Sequence, residues 1–189
     1  GDELWQRFGT RGSTTGLVNR QAECDARSVR TDDLRTGRNP VPPGSPPWGT
    51  TPIEDDAGYC GTDSETLGWR LMNCERITRD IPPMRCDLRL VWTARAHSGD
   101  MLANNYFDHT DRSGGGPSDR MEARGVTNWN RAGENISTYP DAESAHLSWM
   151  ESDGHRENIL FGDFLWVGQG EAKGGSSRLM STQLFARFF

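Results

Sequence analysis

A proline-rich run near the N-terminus constrains this chain more than any other feature. GRNPVPPGSPPWGTTP, residues 37 to 52, holds six of the ten prolines. Proline locks φ and has no N–H to donate. Such a run cannot be helix or central strand and tends toward extended polyproline geometry. Before it, LVNRQAECDARSVRTDDL (17 to 34) has room for one short helix. Residues 1–58 therefore read as an arm and residues 59–189 as one domain. Hydrophobic residues make up only 33% of the chain, which is low for a packed domain of this size and agrees with an arm that buries little.

The formal net charge is −6, and the positive side chains are all arginine apart from Lys173. That balance lacks the basic footprint of a nucleic-acid binder. No stretch approaches the roughly 18 apolar residues of a membrane span. A monomer with no transmembrane segment is expected.

The four cysteines, Cys24, Cys60, Cys74 and Cys86, all lie in the first half. None forms a CxxC pair, which argues against a zinc ribbon or a thioredoxin-like motif. An even count in a loop-rich chain points to two disulfides and an oxidising compartment. Three pairings are possible. Cys74 and Cys86 flank the turn between two helices, and Cys24 is placed to tie the arm to Cys60. The favoured pairs are therefore Cys74–Cys86 and Cys24–Cys60, although sequence does not decide among the three.

In the domain, TDSE (62 to 65) is a capping box, with Thr62 as N-cap and Glu65 three residues on. Leu67, Leu71, Cys74 and Thr78 follow at helical spacing, and Pro82 and Pro83 end that helix. Asp87 caps a second helix running to about Asn105. DRSGGGPSDRMEARG (111 to 125) is a glycine-rich loop followed by a short helix from Pro117 to Gly125. Its glycines do not form a phosphate loop. NWNRAGENISTY (128 to 139) is strand-like. Asp141 caps a helix that Gly154 ends. FLWVGQGEA and RLMSTQLFARFF alternate apolar and polar residues across KGGSS, which is a hairpin pattern. Together these elements give an α+β or layered αβα body.

Of the four histidines, His97 and His146 fall inside helices, where packing or hydrogen bonding explains them. His109 follows a helix end and leads into the glycine-rich loop, and His155 follows the Asp141 helix. Loops carry function more often than helix interiors. Two imidazoles that converge can bind zinc or another divalent metal. Glu134, in RAGENIS, and Glu151, just before His155, can complete a polar cleft with coupled titrations. Ser137, Ser152 and Ser181 are nucleophiles by residue type only, outside any GxSxG or SxxK pattern. The NIS sequon at 135 to 137 is discounted because it sits in a strand expected to be buried.

Six segments, in this order and spacing, resemble the CAP superfamily in its bacterial form. They are ARAHSGDMLANNYFDH (94 to 109), DRMEARG (119 to 125), GENIS (133 to 137), WMESDGHRENIL (149 to 160), FLWVGQGEA (164 to 172) and TQLFA (182 to 186). This superfamily, also called the SCP domain, covers cysteine-rich secretory proteins, antigen 5 and pathogenesis-related 1 proteins. The resemblance spans roughly residues 64 to 188. It implies a three-layer αβα sandwich with a central antiparallel sheet, and a place outside the cytoplasm, secreted or in the cell envelope. It also implies an open cleft lined by His109, His155 and Glu134, able in some members to hold zinc. The family places a second glutamate three residues after the helix tryptophan. Here Ser152 stands there, and Glu151 is one residue early.

Three functions follow as expectations. The first is a binding module whose cleft takes a lipid or sterol, a glycan or a protein. The second is a metal-dependent hydrolase using His109 and His155 as ligands and Glu134 as base, since a bound metal lowers the pKa of its water. The third is a structural module of the envelope.

Overall fold

A computed structural model describes residues 47–52, 54, 58–175 and 179–189. Helix α1 (Asp63–Ile77) begins at the expected capping box, in which the Thr62 side chain accepts from the Glu65 backbone N–H and Glu65 returns the bond to Thr62 N–H. Strand β1 (Arg85–Cys86) and helix α2 (Leu88–Asn104), capped by Asp87, follow. Then come α3 (Pro117–Ala123), β2 (Trp129–Ser137), α4 (Ala142–Glu151), α5 (Asp153–Leu160), β3 (Trp166–Lys173) and β4 (Leu179–Phe188).

The sheet order is β1-β3-β4-β2. The expected β3–β4 hairpin is antiparallel, β2 pairs antiparallel with β4, and β1 adds a short parallel edge to β3. Helix α2 lies on one face. A Cβ on Gly168 would sit 2.2 Å from Val91 N, and one on Gly170 would sit 2.1 Å from Arg95 N. Only glycine lets the helix backbone approach the strand this closely. Leu90, Ala94, Leu184 and Ala186 form the core there. On the other face, Trp149, Met150, Ile159 and Phe164 pack with Met72, Val167 and Phe185. The layers are those expected for the αβα sandwich.

A polar row crosses this second face. Asn158 donates to Asn135 (2.9 Å), Asn135 to Gln183 (3.2 Å), Gln183 to Gln169 (3.1 Å) and Gln169 to Glu171 (2.9 Å). Burial makes unpaired amides costly, so the row persists only because each member bonds the next.

Three expectations change. Cys86 is bonded to Cys60, with Cα atoms 5.5 Å apart, and neither to Cys74 nor left for a Cys24–Cys60 pair. After α1 the chain doubles back along the helix. Both Trp69 Nε1 and Asn73 Nδ2 donate to Met84 O at 2.9 Å. By residue 86 it has passed the level of Cys74 and reached the start of α1, where Cys60 lies. Cys74 is itself disulfide-bonded, and Cys24 lies outside the described residues.

The second change is in the Asp141 helix, which does not run to Gly154. Ser152 adopts extended geometry (φ −94°, ψ 124°), ending α4 and starting α5. His155 therefore lies within the first turn of a helix rather than beyond a helix end. The third is β1, which sequence did not suggest. The short helix anticipated in 17 to 34 lies outside the described residues. The end of the proline-rich run packs on the domain, with Trp48 N–H donating to Arg124 O (3.2 Å) and the Trp48 ring 5.5 Å from Trp92.

Candidate functional site

The loop carrying His109 begins where α2 stops. Asn105 takes a left-handed conformation (φ 51°, ψ 54°) and turns the chain out of the helix. Asparagine tolerates this region better than most residues. Asp111 closes the loop by accepting from Ser113 N (2.9 Å) and Gly115 N (3.0 Å). Arg120, on α3, holds it from behind, donating through Nη1 to His109 O (2.9 Å) and Gly115 O (3.0 Å).

Glu134 sits mid-strand on β2, 7% exposed. Its Oε1 bonds His109 Nδ1 at 2.8 Å, and its Oε2 accepts from Arg120 Nη2 at 2.6 Å. A buried carboxylate needs such partners to stay charged. His97 lies behind it, with Nε2 3.9 Å from Glu134 Oε1 and 3.0 Å from the Asp108 carbonyl. The bond to Glu134 raises the His109 pKa above the ordinary histidine value, outweighing partial burial. Burial lowers that of His97.

His155 lies in the first turn of α5. Its carbonyl accepts from Asn135 Nδ2 (3.1 Å), and Asn158, on the same helix, donates to Glu134 O (3.2 Å). The far end of α5 is held by Arg76, which donates to the carbonyls of Ile159 (2.8 Å), Phe161 (2.9 Å), Phe164 (3.0 Å) and Pro82 (2.8 Å). Burial alone pushes the Arg76 pKa down to about 10. The half-buried His155 has no partner for Nδ1 among the described residues. Burial, and then the charge of nearby His109, lower its pKa. The two imidazoles thus share one electrostatic environment with opposite biases, His109 toward the cation and His155 toward the neutral ring.

The structure brings His109, Glu134 and His155 together and leaves the other candidates outside. Glu151 ends α4 exposed, and half-buried Ser152 forms the helix break. Ser137 and Ser181 pair across β2 and β4, three register positions from the Glu134 pair. Sequence reasoning missed Arg120, His97 and Asn158. Leu90, Ala94, His97 and Met101 recur at helical spacing, which already puts His97 on the buried face of α2. For Arg120 the available signal was a lone arginine in a short helix.

A catalytic zinc takes three protein ligands. Both oxygens of Glu134 are committed, one to His109 and one to Arg120, and Ser152 replaces the second glutamate. Among the described residues no group of three or more His, Cys, Asp or Glu side chains is arranged to hold a metal ion. The donor set does not fit a three-ligand zinc, and the expected zinc-hydrolase geometry has no third ligand here.

A model of the cysteine-rich secretory protein family, CAP, matches residues 69–185. The chain is 40% identical over 107 residues to the uncharacterized protein YkwD of Bacillus subtilis, covering 56% of this chain and 41% of that one. It is 36% identical over 110 residues to the uncharacterized membrane protein YlbC of the same organism, covering 58% of this chain and 32% of that one. It thus spans less than half the length of these relatives. An extracellular protein of Bacillus anthracis containing an SCP domain superposes with a TM-score of 0.60 at 29% identity, covering 73% of this chain and 45% of that one. An outer surface protein of Borrelia burgdorferi superposes with a TM-score of 0.63 at 16% identity, covering 74% of this chain and all of that one, and shows the shared fold. Among the described residues no helix is long and apolar enough to cross a membrane.

Proposed function

The chain belongs to the cysteine-rich secretory protein family, CAP, and from that premise we propose that it is an extracellular binding module whose ligand site is the cleft between His109 and His155. The carrying observation is the closed His109–Glu134–Arg120 chain. Glu134 is spent holding His109 and is not free to act as a base. What remains for a ligand is one imidazole biased toward a cationic donor and one biased toward a neutral donor–acceptor. That pair suits the hydroxyl and carbonyl oxygens of a glycan or peptide better than a lipid tail. An extracellular setting is supported by the Cys60–Cys86 disulfide and by the extracellular description of the Bacillus anthracis relative.

Calorimetric titration with soluble oligosaccharides and peptides tests this. His109→Ala and His155→Ala should each weaken the best ligand by about tenfold or more, the loss of one hydrogen bond to a charged or buried group. Hydrolysis of that ligand by the wild type, lost in both variants, would instead establish an enzyme.

A further inference from the structure

Helix α5 carries His155 in its first turn, yet Ile159 is the one buried residue of its eight. Apolar packing therefore does little to place that turn. Arg156 ties it back to α4 by donating to Met150 O (2.8 Å), and two side-chain amides carry it to β2.

Asn158 stands three residues after His155, on the same side of the helix. It donates to Glu134 O (3.2 Å) and to Asn135 Oδ1 (2.9 Å). Asn135 in turn donates to His155 O (3.1 Å) and to Gln183 Oε1 (3.2 Å). An amide nitrogen has two hydrogens to give, and both asparagines spend both. The Glu134 side chain, on the same stretch of β2, bonds His109 Nδ1 at 2.8 Å. A continuous chain of bonded groups thus runs from the His155 backbone through Asn135 and Glu134 to the His109 ring.

Gly133 makes the approach possible. A Cβ there would lie 3.1 Å from Asn158 Oδ1 and 2.9 Å from Phe164 Cζ. A side chain at 133 would wedge α5 away from the strand, whereas glycine admits it.

We infer that Asn158 is a positioning residue of the histidine cleft: clasped to Asn135 and Glu134 across Gly133, it fixes the separation of His109 and His155 and so selects ligands whose polar groups span that one separation. The role rests on the reading of His109 and His155 as one ligand site.

NMR titration of the imidazoles in the full chain tests the spacing without any ligand. The charge of His109 contributes to lowering the His155 pKa, so His109→Gln should raise it. Repulsion between charges weakens with separation, and that rise should shrink by about half or more once Asn158→Ala releases the turn, with circular dichroism unchanged. Gly133→Ala keeps both amides but displaces Asn158 and Phe164, and should shrink the rise as well. Asn130→Ala, at an exposed position of β2, should leave the rise as large as in the wild type. A full rise retained in both Asn158→Ala and Gly133→Ala would overturn the positioning role and leave the shared site standing. No rise in any background, the wild type included, would overturn the shared site and the role with it.

Discussion

Arg76 and Arg120 are both buried arginines, and each holds one histidine-bearing wall of the proposed cleft. Arg76 does so through four backbone carbonyls around the end of α5. Arg120 does so through two carbonyls of the His109 loop and the Glu134 carboxylate. The first spreads its charge over fixed dipoles that do not titrate, whereas the second is wired to a carboxylate and an imidazole. One wall is therefore anchored independently of protonation, and the other carries its anchor within the titrating site. An arginine that meets only carbonyls is a structural bolt, and one that meets a carboxylate beside a histidine also sets a charge state.

The largest effect should come from breaking the bolt. Arg76→Met strands four carbonyls and should cost about 4 kcal/mol in urea unfolding, at the upper end of single-site effects. Glu134→Gln leaves Arg120 buried beside a neutral amide and should cost about 3 kcal/mol. It should also return the His109 pKa toward the ordinary value in an NMR titration, a change Arg76→Met should not produce.

The pH dependence separates the walls further. The raised His109 pKa contributes stability that is complete below the ordinary histidine value and fades as pH rises through the raised one. The lowered His155 pKa acts oppositely, its contribution fading as pH falls below the ordinary value toward the lowered one. Urea midpoints between about pH 5 and 8, where histidines titrate, should lose the His109 component in Glu134→Gln and keep the His155 component. The smallest effect should come from Glu151→Gln. This exposed residue should change stability by less than about 0.5 kcal/mol and leave ligand affinity in the cleft unaltered.

The sequence disclosed features whose causes are local. Thr62 and Glu65 cap α1 through atoms three residues apart, and the β3–β4 pairing follows from alternation around a short glycine-containing turn. His109, Glu134 and His155 were legible through the motifs that carry them. The rest depended on partners distant in the chain. Strand β1 is two residues long and exists only because Trp166 and Val167 lie beside it. The Cys60–Cys86 bond reflects how far the chain doubles back after α1, a distance set by Asn73 and Trp69 gripping Met84. Ser152 breaks a pattern that otherwise continues as helix. Arg120 acquires meaning only when β2 brings Glu134 to it.

The amide row across the sheet is directional. A carboxylate can only accept, so an ionised Glu171 obliges Gln169 to donate, and that choice fixes Gln183, Asn135 and Asn158 in turn. Reversing one member would set oxygen against oxygen at its neighbour. Replacement of a single amide by an acid is therefore barred where a coordinated change of several is not, and these positions should drift through descent together or not at all. The direction is held at the other end as well, because Asn135 and Asn158 also donate to the carbonyls of His155 and Glu134, which can only accept.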